Sequence, residues 1–216
     1  MQSLRGFLAG VAVGVPAAVV IVAVAILALL NPLWVAFEQG RADAAGWTGF
    51  SPTDLRTVTD SILSDLILGP PDFAVALNGN PVLNDRERSH MRDVRGVFMA
   101  LYVAAAICAI GLAAAFVATR RNGRAALWRR LSRSGTAIAV ITVVGGLLGL
   151  AFFDAAFEVF HELFFPAGTF LFDPRTDRLV QLFPDQFWSE TTIAVGVVII
   201  VLALGLAWLG RRKAAA

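Results

Sequence analysis

Residues 6–30, GFLAGVAVGVPAAVVIVAVAILALL, form an apolar stretch that contains no charged side chain. A helix of about 20 apolar residues is long enough to cross the hydrocarbon core of a bilayer. Three further apolar stretches follow, at residues 94–118, 135–156 and 191–210, and Arg95 and Asp154 are their only charged residues. Hydrophobic residues make up 57% of the 216-residue chain and charged residues only 16%, which excludes an ordinary soluble domain. We therefore expect a single all-α membrane domain, residues 1–216, built as a bundle of four transmembrane helices.

Basic and acidic residues occupy different connections between these stretches. The basic ones near the ends of the spans are Arg5, six arginines between residues 119 and 134, Arg211, Arg212 and Lys213. Every Asp and Glu lies instead within residues 31–93 or 154–190. By the positive-inside rule, both termini and the arginine link face the cytoplasm. We expect a multi-pass protein of the cell membrane whose outer loops are residues 31–93 and 157–190. Topology and anionic lipid also explain the basic link without nucleic acid.

The first span has the length of a permanent anchor. Its apolar run is longer than that of a signal peptide, and the following sequence, NPLWVAF at residues 31–37, is not a small-residue cleavage site. The pairs Gly10–Gly14 and Gly145–Gly149 have the GxxxG spacing that is typical of closely packed membrane helices. We therefore expect an uncleaved first helix and close helix contacts at both glycine pairs.

The outer loops contain signals for structure of their own. SPTDLRTVTDSILSDLIL, residues 51–68, begins with a capping serine followed by proline and carries an apolar stripe at helical spacing. Asn78-Gly79 is a strong turn signal between two short apolar segments. TFLF at residues 169–172 and RLVQLF at residues 178–183 have the composition of short strands. These patterns predict a surface helix and a small extracytoplasmic β and loop cap built from both loops.

The two histidines of the chain each stand next to carboxylates at helical spacing. His90 follows the capping sequence NDRE at residues 84–87, and Asp93 lies on the same helix face. Asp154, Glu158 and His161 fall at positions i, i+4 and i+7 at the end of the third span. Both imidazoles are therefore expected at the outer headgroup level, where ionisable groups indicate a functional site. We predict His90 and His161 as catalytic residues, with Asp93, Glu158 and Asp154 in support.

Imidazoles at this depth are suited to general acid–base catalysis or to metal binding. The helix dipole favours His90 as the base and His161, at a helix C-terminus, as the donor to an oxyanion. Two imidazoles and a carboxylate would also suit zinc, but HELFF at residues 161–165 lacks the second histidine of the HExxH motif. We expect no cofactor and no metal. A metal-dependent membrane hydrolase and a non-catalytic lipid-binding or accessory protein remain the alternatives.

Four segments resemble the lipoprotein intramolecular transacylases, small bacterial membrane proteins with four spans. They are HMRDV at residues 90–94, FHELFF at 160–165, FDPRTDRL at 172–179 and LFPDQFW at 182–188. The resemblance implies that the sn-2 acyl chain of a diacylglyceryl-modified lipoprotein moves to the α-amino group of its N-terminal cysteine, which gives the lyso-form. It also implies that His90 and His161 are the two essential histidines. The expected partners are this lipoprotein and membrane lipids, with no nucleic acid, and we expect a monomer.

Overall fold

The computed structural model describes residues 2–215, and within them the chain is almost entirely helical. Residues 1 and 216 of the predicted domain lie outside this part, as do the side chains of Arg5 and Arg121, which contributed to the topology prediction. The elements are α1 (Gln2–Leu29), α2 (Pro32–Arg41), α3 (Ala44–Thr48), α4 (Pro52–Ile67), β1 (Ala76–Leu77), β2 (Asn80–Pro81), α5 (Asp85–Ala118), α6 (Arg121–Ala151), α7 (Phe153–Phe164), α8 (Arg178–Leu182) and α9 (Asp185–Ala215).

Four helices are long and apolar enough to cross a membrane, as the sequence predicts. The qualifying segments are Gly6–Leu29, Asp85–Ala118, Gly123–Ala151 and Asp185–Ala215. The third apolar stretch is interrupted earlier than expected, because α6 ends at Ala151 and α7 begins at Phe153. Phe152 between them has a non-helical backbone, with φ −132° and ψ 45°. Asp154 and His161 therefore belong to a separate short helix.

The chain divides into two compact units, and the first consists of Met1–Leu27, Ala100–Leu148 and Ala194–Ala216. Its core contains buried small and branched residues from three helices: Ile21, Ala25, Ala139, Ile199 and Ala203. The closest helix contact is at Gly135, where a Cβ would lie 2.4 Å from the carbonyl oxygen of Ala203. A Cβ at Gly10, Gly145 or Gly149 would meet nothing within 4 Å. The close contacts predicted from GxxxG spacing are therefore wrong at these three glycines and confirmed at Gly14, where a Cβ would lie 3.0 Å from the Ser134 hydroxyl oxygen.

The second unit consists of Ala28–Met99 and Gly149–Ile193 and has its own hydrophobic core. The predicted stripe of α4 faces this core, since Leu55, Val58, Ile62 and Leu66 are all buried. Ser51 caps the helix as expected by accepting a hydrogen bond from the Asp54 amide at 3.1 Å. The helix thus packs as an integral part of the unit.

The strand prediction is confirmed in the first outer loop and wrong in the second. β1 and β2 form an antiparallel hairpin whose turn residues, Asn78 and Gly79, have φ values of 52° and 80°. No described residue in 157–190 forms a strand, and Arg178–Leu182 form α8 instead. Leu179, Leu182 and Phe183 are all buried, and their spacing is that of one helix face. The apolar run at residues 178–183 is too short for its hydrophobic period to distinguish a helix from a strand.

Candidate active site

His90 is positioned by a capping box at the start of α5. The Asn84 side-chain oxygen accepts a hydrogen bond from the Glu87 amide at 3.0 Å, and Glu87 accepts one from the Asn84 amide at 2.7 Å. The other carboxylate oxygen of Glu87 accepts a hydrogen bond from the Leu179 amide, 2.6 Å away at the start of α8. Glu87 is 1% exposed and His90, nearly one turn later, is 5% exposed. The same carboxylate therefore begins the histidine-bearing helix and ties the second outer loop to it.

His161 lies on α7 and is oriented by the main chain. Its Nδ1 is 2.7 Å from the carbonyl oxygen of Phe157, four residues earlier. A carbonyl oxygen only accepts, so Nδ1 must carry the hydrogen in this contact. In the neutral ring the Nε2 atom then has a free lone pair. This hydrogen bond gives His161 the tautomer that a general base requires.

The structure brings the two imidazoles together within the second unit. Their ring centroids are 6.0 Å apart and their planes differ by only 21°. The Nδ1 atom of His90 is buried and has no hydrogen-bond partner among the described residues. Because buried polar atoms in proteins are nearly always paired, this nitrogen is available to hydrogen-bond to a group outside the described residues.

Phenylalanines surround both rings. Phe165 is buried and lies 4.8 Å from His90 and 5.4 Å from His161, measured between ring centroids. Phe172 packs edge-on against His90 at 5.4 Å, and Phe170 lies 5.2 Å from His161. An apolar wall of this kind limits water and strengthens each electrostatic interaction that it encloses. Sequence reasoning did not assign a role to these phenylalanines, because an aromatic residue near a membrane carries no distinctive signal.

An ion pair between a half-exposed arginine and a buried aspartate holds Phe172 and the second outer loop against α5. Arg86 forms an ion pair with Asp177 at 2.6 Å, and its guanidinium carbon lies 5.0 Å from the centroid of the Phe172 ring. Asp177 also accepts hydrogen bonds from the Asn84 side chain at 3.1 Å and from the Asp173 amide at 2.8 Å. Arg175 holds the pKa of Asp173 below its ordinary value through side-chain and backbone hydrogen bonds. The turn around these residues is thus fixed by several charged contacts.

The three predicted supporting carboxylates are not bonded to the histidines. Asp154 and Glu158 are exposed on α7, and Asp93 is half-buried on α5. Within the described residues, none of the three makes a hydrogen bond or ion pair to either imidazole, and the partner of His161 is a main-chain carbonyl. Their supporting role stays a prediction, and it would act through space.

The described residues offer no obvious metal centre. No group of three or more His, Cys, Asp and Glu side chains in residues 2–215 is placed to hold one metal ion.

Comparisons with known proteins agree with the resemblance found in the sequence. A family model described as Lipoprotein intramolecular transacylase Lit matches residues 11–188. An uncharacterized protein of Aquifex aeolicus (strain VF5) is 28% identical over 144 residues, which cover 62% of this chain and 61% of that protein, less than two thirds of its length.

Among solved structures, the chain is similar to the membrane integral lipoprotein intramolecular transacylase Lit of Bacillus cereus. The TM-score is 0.73 at 18% identity, and the match covers 100% of both chains. A variant of that protein with one histidine replaced by arginine gives a TM-score of 0.73 at 19% identity, covering 98% of this chain and 92% of that one. At such identities the likeness establishes a common fold.

Proposed function

Because the chain belongs to the lipoprotein intramolecular transacylase family, we propose that it is an acyltransferase acting within one diacylglyceryl-modified lipoprotein. The sn-2 acyl chain moves from the glyceryl oxygen to the α-amino group of the N-terminal cysteine, and the product is the lyso-form. The observation that carries the proposal is the pair of stacked imidazoles, 6.0 Å apart inside an aromatic wall, at His90 and His161. They are the proposed catalytic residues.

The reaction needs a base that accepts a proton from the attacking amine. An α-amino group titrates near pH 8, so its neutral form is accessible to a base as modest as imidazole. The amine nitrogen attacks the ester carbonyl carbon while Nε2 of His161 takes up the released proton. When the tetrahedral intermediate collapses, the carbon–oxygen bond to glycerol breaks and Nε2 returns the proton to the glyceryl oxygen. His161 therefore accepts one proton from the amine and donates one to the glyceryl oxygen, and it ends in its starting form.

His90 is the proposed donor to the oxyanion of the tetrahedral intermediate. Its ring lies parallel to that of His161 and its Nδ1 has no partner among the described residues. A donor placed in apolar surroundings stabilises developing negative charge more than the same donor would in water. This assignment is the reverse of the one suggested by the helix dipole, because the hydrogen bond to Phe157 fixes the tautomer of His161. A direct hydrogen bond outweighs a dipole effect that fades within one helical turn.

No protein nucleophile is required in this scheme. The amine and the ester belong to the same substrate molecule, so binding them in a near-attack geometry replaces a bimolecular encounter. The exposed apolar side chains of Phe160, Leu163 and Phe164 lie on the same helix as His161. They are suited to contact the acyl chains of the substrate while the ester reaches the imidazoles. Asp93, Asp154 and Glu158 are proposed to support the site through their charge.

The proposed setting is the bacterial cell membrane, with the histidine site at the outer leaflet. The asymmetry of basic residues supports cytoplasmic termini and outward-facing residues 31–93 and 157–190. Large apolar residues of the spans, among them Ile107, Ile110 and Val117, are exposed in the isolated chain and are suited to contact lipid. The proposed partners are the lipoprotein substrate and membrane lipids, and the proposed state is a monomer.

The function is tested by co-expressing the full chain with a diacylated lipoprotein. Substrate and product are isomers of one mass, so tandem mass spectrometry is needed to locate the acyl chain on the α-nitrogen. We expect N-acylation with the wild-type protein and none with His90→Ala. A mixture of lipoproteins with light and heavy acyl chains should give no crossed products, because transfer is intramolecular.

His161→Asn provides a matched variant for the proposed base. The asparagine amide can still donate to the Phe157 carbonyl, but it has no basic nitrogen at the position of Nε2. We expect a folded protein without transfer activity. N-acylation at the wild-type rate in this variant would end the proposal, as would crossed products from the labelled mixture. Stoichiometric zinc in the purified protein would favour the hydrolase, and an unmodified lipoprotein would favour the accessory protein.

A further inference from the structure

The first unit contains positive charge without any acidic side chain to balance it. None of the 16 Asp and Glu residues falls within Met1–Leu27, Ala100–Leu148 or Ala194–Ala216, whereas ten of the 18 Lys and Arg residues do. Arginines in this unit therefore have no carboxylate side chain within it. No carboxylate side chain of this unit can neutralise them.

Close packing between α6 and α9 brings three of these arginines near one another. The Ser132 hydroxyl donates a hydrogen bond to the carbonyl oxygen of Ala207 at 2.9 Å. At Gly210, a Cβ would lie only 2.7 Å from the carbonyl oxygen of Trp128. Arg129, Arg133 and Arg211 each directly follow one of these contact residues in the chain. The helix packing that needs Ser132 and Gly210 therefore also places arginines from two helices side by side.

The three arginines line one cavity of about 350 Å³ together with Ser132, Ala214 and Ala215. Within the described part of the chain, none of the three makes a hydrogen bond, an ion pair or a ring contact. Two neighbouring arginines are engaged differently: Arg124 lies 5.3 Å from the Phe116 ring and Arg212 lies 4.4 Å from the Trp208 ring. Like charges on a shared helix face repel, so this arrangement is unfavourable without an anion.

We propose that Arg129, Arg133 and Arg211 form a binding site for one phosphate group of an anionic phospholipid. A guanidinium presents a planar fork of donors that matches phosphate oxygens, and Ser132 borders the same cavity. Basic pockets between transmembrane helices on the cytoplasmic side are where anionic headgroups bind. A free phosphate ion has the same chemistry, and the experiment separates the two sources. The site is independent of the transfer reaction and would anchor α6 to α9 through lipid.

Lipid binding is measured on the purified full chain by native mass spectrometry, with a titration of phosphatidylglycerol. The test variant is Arg129→Gln/Arg133→Gln, and the matched control is Arg124→Gln/Arg212→Gln, which removes the same charge from arginines that face aromatic rings. We expect the test variant to bind phosphatidylglycerol at least about tenfold more weakly, because each substitution removes charge-assisted hydrogen bonds to the phosphate, and one such bond contributes roughly tenfold or more in affinity. The control should stay within about twofold of the wild type, and zwitterionic phosphatidylcholine should show little preference among the three proteins.

Each other outcome decides a separate point. Equal weakening in the test and control variants would overturn the proposal, because net charge alone would then explain the binding. Inorganic phosphate that binds as tightly as phosphatidylglycerol and competes with it would overturn the lipid as the source. If the double variant does not fold, Arg211→Gln tests the same cavity from α9. Unchanged phosphatidylglycerol binding by Arg211→Gln would refute a site shared by the two helices.

Discussion

Replacing Glu87 by glutamine removes one of the two hydrogen bonds by which this side chain caps the start of α5 and joins it to α8. The carboxylate accepts from the Asn84 amide at 2.7 Å and from the Leu179 amide at 2.6 Å, and the side chain is 1% exposed. A glutamine can accept only one of these, because its NH₂ group would face the second N–H. A buried donor that loses a charged acceptor costs about 1.5–3 kcal/mol. We expect the free energy of unfolding to fall by an amount in this range.

The single cysteine provides a way to measure the free energy of unfolding. Cys108 is the only thiol of the chain and is half-buried, so a rise in the rate at which a thiol-reactive fluorophore labels it reports unfolding in detergent. Asp85→Asn is the control, because Asp85 is a fully exposed carboxylate on the same first turn, paired only with Arg88 at 3.6 Å. Glu87→Gln should unfold at clearly lower temperature than the wild type, and Asp85→Asn should not.

Activity provides the second readout for Glu87→Gln. Loosening α8 should weaken the packing of Phe172 on His90, where the ring centroids are now 5.4 Å apart, without removing either imidazole. Transfer should therefore decrease less than in His90→Ala and should recover on cooling. If Glu87→Gln were as stable as Asp85→Asn, the idea that this carboxylate joins the loop to the histidine helix would be refuted.

Three further substitutions test other contacts. Asp177→Asn should lower the free energy of unfolding by about 1 kcal/mol in the same thiol assay, since it loses an ion pair whose arginine is half exposed. An unchanged free energy of unfolding would mean that the ion pair does not stabilise the loop. Gly135→Ala should destabilise by about 1–3 kcal/mol, because its methyl group would overlap the Ala203 carbonyl, whereas Gly145→Ala should be neutral. Glu158→Gln should reduce transfer only slightly, because this exposed side chain has no bond to an imidazole; a loss as complete as in His161→Asn would require a direct role.

Local rules were enough to predict most of the helices from the sequence. The spans follow from the length of the apolar stretches, and the starts of α4 and α5 follow from caps that satisfy main-chain amides within four residues. The errors arose where a pattern was short or depended on a partner. RLVQLF is too short to show its period, and GxxxG spacing does not reveal which glycine another helix approaches. Gly135 and Gly210 make the closest helix contacts and lie in no GxxxG pair, and only Gly14 among the paired glycines has a close neighbour.

The site was predictable only in part for the same reason. Spacing identified the helix faces of both histidines, and the structure brings their rings to 6.0 Å. Residue spacing could not indicate that His161 would hydrogen-bond to a main-chain carbonyl. Every helical residue has a carbonyl oxygen, and the rotamer of the imidazole decides which acceptor it reaches. The contact of Glu87 with Leu179 and the phenylalanine wall join residues far apart in the chain. Contacts between distant residues produce no periodic pattern in the sequence.

The acceptor that orients His161 has a consequence for how this site can change over time. In a catalytic triad the orienting group is a side chain, so one codon change can remove it. Here it is the carbonyl oxygen of Phe157, which every amino acid at that position would supply as long as the helix persists. Mutational drift can therefore change the side chain at this position, whose ring now lies 4.1 Å from that of His161, while the proton-accepting nitrogen keeps its lone pair. The helix itself, and no single neighbour, is the feature that selection would need to preserve.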